Sequence, residues 1–229
     1  MKSKLAETAV TEATKRAAPL FGSTAIRTFL DRAIDGTNQW PGAKVVANRQ
    51  LENTGSVDEA VSQIIEQHLR LAGLQGFVTS LGGIVFLPVT LPANLAGLFL
   101  LQLRMSAAIA HLRGLDIDQP AVRLAALACM LGPDELEELI RVGALPGRPR
   151  EIAQSRDLEV SDAEELIKQV ASSLAARVAG KRVTVAVARR IPGLGGVVGG
   201  GVDAVGTYKI GKFADTELGH IPLASVARR

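Results

Sequence analysis

The chain has 229 residues, 47% hydrophobic but only 3% aromatic, with 26 basic against 23 acidic side chains and a formal net charge of +3. That length supports one large domain with a substantial core, while the scarcity of rings argues against a stacking platform for single-stranded nucleic acid or carbohydrate. The lone cysteine, Cys129, excludes an internal disulfide and a cysteine-built zinc site within one chain, which makes a reducing compartment the simplest setting.

Ser3 to Ala17 mixes apolar and charged residues at helical spacing without the apolar run of a secretory signal. It predicts a helix, set apart as an N-terminal extension over residues 1–22. Thr24 to Asp35 places Ile26, Phe29, Leu30 and Ala33 on one face of an amphipathic helix that Gly36 stops. Trp40-Pro41-Gly42 marks a turn, and a short helix follows from Ala43 to Glu52. Ser56 with Glu59 reads as a capping box opening a helix that should reach about Leu74.

Between Arg70 and Arg104 lie 33 consecutive residues without a charge. Gly73, Gly76, Gly82, Gly83, Pro88 and Pro92 interrupt the run, so it is not read as one straight spanning helix of the roughly 20 residues a bilayer needs. It predicts two apolar elements joined by an irregular buried connection, Ile84 to Leu91, with Pro92 opening the next helix and Gly114 closing it. Further helices are expected from Gln119-Pro120 to Gly132 and from Pro133 to Gly143, then a loop from Ala144 to Val160. Ser161 with Glu164 forms a second capping-box pattern, and its helix should end at Ala179. Lys181 to Arg190 favours helix. A second apolar segment, Ile191 to Ala214, is rich in glycine, and Gly195 with Gly199 and Gly196 with Gly200 have the spacing that lets helix backbones approach closely. The fold expected is mainly α: a single helical domain with the two Gly/Pro-broken apolar segments packed centrally.

Three blocks, GFVTSLGGIVFLPVTLPANLAGLFLLQLRMSAAIAHLRGLD, ACMLG and IPGLGGVVGGGVDAVGTYKIGKFA, resemble the EcsC family in order and spacing. The resemblance covers roughly Asp31 to Thr216 and defines a family-like domain over residues 23–216, followed by a tail over 217–229. It implies a bacterial helical domain named after a component encoded beside an ABC transporter, so that transporter or another protein is an expected partner. It carries over no catalytic residue.

The two apolar blocks also resemble each other. Asn94 and Asp203 each stand where a helix should begin, and a cation follows each, Arg104 and Lys212. Packed as a pseudo-symmetric pair, the helices would bring these groups together, either to line a ligand site or to satisfy backbone amides. Asn94, Gln102, Arg104, Asp203 and Tyr208 form the expected ligand-binding set. Arg177, Lys181, Arg182, Arg189 and Arg190 form a run of cations without an anion beside the glycine-rich segment, suited to an anionic head group or membrane surface.

The sharper motifs fail. Gly206 to Lys212 has the spacing of a phosphate-cradling loop, yet Phe213 stands where a hydroxyl should hold magnesium. Gly193, Gly195 and Gly199 have too little chain after them for a dinucleotide fold, and His68, His111 and His220 lack metal spacing. No metal, cofactor or nucleic acid is expected. The leading expectation is a membrane-associated or lipid-binding protein, cytoplasmic and peripheral to the inner face of the membrane, with helices around Leu74, Leu98 and Val202 enclosing an acyl chain. The alternatives are a lipid-directed hydrolase or transferase using Asn94, His111, Asp203 and Tyr208, which requires those side chains to converge, and a soluble helical scaffold for a protein partner.

Overall fold

The computed structural model describes the backbone of residues 22–81, 83–155, 158–188 and 195–219, and the side chains over that range apart from 23, 77–92 and 175–199. The expected helix from Ser3 to Ala17 and most of the C-terminal tail lie outside the described residues. Within them are nine α-helices and one two-stranded sheet.

Helix α1 (Ser23–Ile34) buries the predicted face of Ile26, Phe29, Leu30 and Ala33, with the Phe29 ring 5.2 Å from that of Phe99. The turn at Trp40 is a small hairpin in which β1 (Gly36–Thr37) pairs antiparallel with β2 (Trp40–Pro41). Helix α2 (Ala43–Thr54) stops at Gly55, whose φ of 68° lies in the left-handed region a side chain disfavours. At the start of α3 (Val57–Leu81) Ser56 contributes its carbonyl to the Ala60 amide. Among the described residues no bond joins its hydroxyl to Glu59, so the expected capping box does not form.

The largest departure from expectation is α4 (Gly83–Leu112), one continuous helix through Pro88 and Pro92 where an irregular connection was expected. Each proline removes one backbone bond and crowds the carbonyl four residues back. An irregular path from Ile84 to Leu91 would free many more backbone groups in a segment whose one polar side chain is Thr90. Continuing the helix is the smaller cost. Helix α3 likewise passes Leu74 and ends beside Gly82, which leaves the break where the glycine pair placed it.

Helix α5 (Pro120–Ala128) passes through a 3-10 turn (Cys129–Leu131) to α6 (Pro133–Arg141). The segment expected to be loop contains α7 (Pro149–Gln154), whose first turn is held by the Glu151 carboxylate accepting the Arg148 amide at 2.7 Å. Helix α8 (Val160–Ala188) begins one residue before Ser161 and runs through Gly180, and α9 (Gly195–Gly219) contains most of the glycine-rich block.

Helices α3 and α4 form an antiparallel hairpin, and α9 packs along both, most extensively along α3. Glycine permits the approach at Gly211, where a β-carbon would sit only 2.9 Å from Ile65 Cγ1, while one on Gly73 would make ordinary contact, 3.8 Å from the Gly200 carbonyl and 3.7 Å from Ala204. Ile64, Leu103, Met105, Ile109, Ala214 and Leu218 fill the space between the three helices. At the end away from the break, Arg113, just past the end of α4, donates to Asp58 of α3 at 2.7 Å and to Asp215 of α9 at 2.6 Å. Beyond it Glu217, fully buried, receives Arg148 at 2.6 Å and Arg150 at 3.3 Å, which fixes the end of α9 to α7.

The glycines of α9 should therefore separate in a urea titration. Gly211→Val should destabilise the fold by about 1–3 kcal/mol through overpacking against Ile65 and Met105. Gly201→Ala, where an added β-carbon meets nothing within 4 Å, should stabilise it by about 0.5–1 kcal/mol. Equal effects at the two positions would mean that α9 is not seated against α3 as described.

Candidate functional site: a polar seam in an apolar bundle

Through the contact of α3, α4 and α9 runs a line of polar side chains drawn from all three helices. Asn94 Nδ2 of α4 donates to Asp203 Oδ2 of α9 at 3.3 Å, and Gln75 of α3 donates to the Asn94 carbonyl at 2.8 Å. Gly97 leaves the space that the Gln75 amide occupies. Two helical turns further along α4, Gln102 Nε2 donates to Thr207 Oγ1 at 3.0 Å, and that hydroxyl donates to the Asp203 carbonyl at 2.8 Å. Asn94 Oδ1 is buried and accepts from no donor among the described residues, an omission that costs about 1–3 kcal/mol in a protein interior.

Arg104 is a separate centre facing the opposite way, toward α2 and the hairpin. Its Nε donates to His68 Nε2 at 3.3 Å, its Nη1 donates to the Pro41 carbonyl at 3.3 Å, and its guanidinium carbon lies 4.7 Å from the centre of the Trp40 ring. His68 Nδ1 donates to the Ile64 carbonyl at 2.7 Å, so Nε2 must be the acceptor and the ring is neutral. Burial first, and then the charge of Arg104, push the His68 pKa down to about 4. Burial also holds the Arg104 guanidinium below its ordinary value.

The sequence-predicted set thus divides. Asn94, Asp203 and Gln102 meet in one seam, Arg104 belongs to another, and Tyr208 stands 50% exposed on the outer face of α9. The pseudo-symmetric pairing holds for Asn94 with Asp203 and not for the cations, because Lys212 is exposed and reaches Asp215 at 3.5 Å instead of joining Arg104. Arg177, Lys181 and Arg182 lie on the last turns of α8 by their backbone. Their side chains, and Arg189 and Arg190 altogether, are outside the described residues.

The enzyme arrangement does not assemble. His111 follows Asn94 by 17 positions on one helix, roughly 25 Å at 1.5 Å per residue, and donates to Asn48 Oδ1 at 3.1 Å. Leu74 is 63% exposed and Val202 is also exposed, so they do not enclose an acyl chain. Gly206 to Lys212 lies inside α9, where helical backbone is committed to its own bonds and cannot cradle a phosphate. Cys129 is buried and burial pushes its thiol up, which makes it inert. A hollow of about 350 Å³ beside α3 is polar and open, lined by Gln50, Gln63, Glu66, Gln67, Arg70 and Leu71. Among the described residues no group of three His, Cys, Asp or Glu could hold a metal ion.

Sequence reasoning missed Gln75, His68, Thr207 and Trp40 as members of these centres. The signal for His68 and Gln75 was their place in α3 opposite Arg104 and Asn94 once the two helices fold back as a hairpin. Trp40 gave none, since it joins from a turn.

The architecture defines a helical protein built on an apolar hairpin that a third, glycine-rich helix closes. The chain belongs to the EcsC protein family, whose model matches residues 3–218 and so takes in most of the stretch set apart as an N-terminal extension. No curated protein and no solved structure matches the chain.

The neutral His68 makes stability depend on pH. A histidine near pKa 6.5 when unfolded and about 4 when folded binds its proton more readily in the unfolded chain. Its contribution is whole above pH 6.5 and is lost as pH falls toward 4, by about 3 kcal/mol across that window. Urea titrations at pH 7.0, 5.5 and 4.5 should show the decline in the natural chain and a much flatter profile in His68→Gln. Parallel profiles would remove His68 from this role.

Proposed function

We propose that the protein is a non-enzymatic, lipid-binding helical protein that meets a membrane surface through the end of the bundle where α3 turns into α4. The observation that carries this reading is how cover is lost along α4. Residues 101–110 are all buried, Leu95, Ala96, Gly97, Leu98 and Leu100 only partly, and Ala93 is exposed. On the neighbouring helices at the same end, Leu74, Val202, Val205 and Tyr208 are among the large apolar side chains left exposed. The sequence stays uncharged from there back to Leu71. Exposed apolar surface at one end, continuous with further apolar sequence, is the mark of an interaction site.

Contact by an end fits better than a span. Of the described residues one segment, Ala93–Leu112, is long and apolar enough to cross a membrane, but 67% of its window is buried inside the bundle, as in a core helix. Only six residues separate the end of α8 from the start of α9, so the cations of α8 are tethered near the apolar end. Each would add about 1 kcal/mol near an anionic lipid surface. This reading places the chain at the inner face of the membrane, with an ABC transporter or another membrane protein as the partner that the family resemblance suggests.

Flotation with liposomes tests it. The natural chain should rise with vesicles containing phosphatidylglycerol, and a combined Leu74→Asp, Val202→Asp and Val205→Asp variant that keeps its helical circular dichroism should lose at least tenfold in partition. Arg189→Gln with Arg190→Gln should weaken binding severalfold, in anionic vesicles only. A natural chain that stays at the bottom of the gradient, or an aspartate variant that floats as well, contradicts the reading.

A further inference from the structure

Arg104 is a charge with no counter-charge. Arg104 is 5% exposed, yet among the described residues no carboxylate pairs with its guanidinium, whose protein partners are a neutral imidazole, a backbone carbonyl and the face of an indole. The other interior charges of this fold are treated differently: Arg113 has Asp58 and Asp215, and Glu217 has Arg148 and Arg150. Burying an ion costs several kcal/mol unless an opposite charge and hydrogen bonds offset it. Here two hydrogen bonds and a cation–π contact offset part of that cost. Nη2, with two N–H donors, has no acceptor among the described residues.

The indole of Trp40 lies over this charge. Trp40 is 40% exposed at the corner of the hairpin. The Trp40 amide donates to Thr37 Oγ1 at 3.1 Å, so the backbone of the turn is fixed independently of the ring. Rotation about the two side-chain torsions takes the indole off Arg104 without moving a strand. Behind the guanidinium His68 is locked as an acceptor by its bond to Ile64 and holds the Nε edge in place.

We propose that Arg104 is the floor of an anion-binding site and Trp40 its lid: a small oxyanion, a phosphate or carboxylate group on a water-soluble molecule, displaces the indole and takes the free guanidinium donors. Arginine suits the task because its planar fork matches such groups. The soluble source is chosen on direction. Arg104 stands 21 residues from the start of α4, roughly 30 Å along the helix, and its contacts are Trp40, Pro41 and His68, not the exposed Val205 and Tyr208 of α9. The inference therefore does not depend on membrane contact.

The chain contains one tryptophan, so its fluorescence reports on the lid alone. Trp40 emission would be followed on the full chain while inorganic phosphate, acetate or chloride is added at constant ionic strength. Melting temperatures would be recorded in parallel. Phosphate or acetate should give a saturable spectral change and a rise in melting temperature that chloride does not. Arg104→Gln should weaken that response at least tenfold, and Arg104→Lys should fall between. If Arg104→Gln does not fold, the contrast between oxyanion and chloride in the natural chain decides. A chloride response equal to that of the oxyanions, a response unchanged in Arg104→Gln, a response to phosphatidylglycerol vesicles but to neither soluble oxyanion, or no saturable change would each overturn the proposal.

Discussion

Helix α4 has no charge over its first 21 residues, from Gly83 to Leu103, and such a helix persists in water only where other surfaces cover it. Helix α3 folds back against one side and α9 lies along both. The seating of α9 depends on an absent side chain at Gly211, which faces Ile65 and Met105. Dispersion contacts are individually small and fall steeply with distance, so close backbone approach is what lets a small-residue helix contribute as cover. The ionic contacts of Arg113 and Glu217 then fix α9 at the end away from the break.

An all-apolar interface would fill this volume without fixing how the helices slide along one another. The Asn94–Asp203 and Gln102–Thr207 pairs supply that register, since a displacement of one turn would leave each buried group unpaired. Arg104 and His68 fix α3 against α4 in the same manner. The difference lies in completeness: the Gln102–Thr207 bond is internal, whereas Asn94 Oδ1 has no donor and Arg104 Nη2 has no acceptor among the described residues. Polar capacity without a partner is the feature that separates a site from a structural network.

Much of this was legible in the chain. The helical class and the face of Ile26, Phe29, Leu30 and Ala33 follow from periodicity. So did the meeting of Asn94 with Asp203, because matching positions in two similar blocks are brought together when the blocks pack. What failed has a common cause. Pro88, Pro92 and Gly180 are breakers by local preference, and in α4 and α8 the need to satisfy backbone groups over a long segment outweighs that preference. Lys212 was matched to Arg104 by spacing alone, and the exposed side of α9 sends it to Asp215. Trp40 reaches Arg104 from 64 positions away in sequence, a contact that no local pattern encodes.

The loss of cover toward the break joins these parts: the closed end of the bundle holds the ionic contacts, and the open end presents the apolar surface that we propose meets lipid. Hydrogen–deuterium exchange with and without phosphatidylglycerol vesicles tests that most directly, because it reports where the vesicle touches. The account predicts slower exchange confined to peptides from 70–100 and 195–208, with 120–154 unchanged. Protection centred on 120–154, or no protection in any peptide, would contradict it.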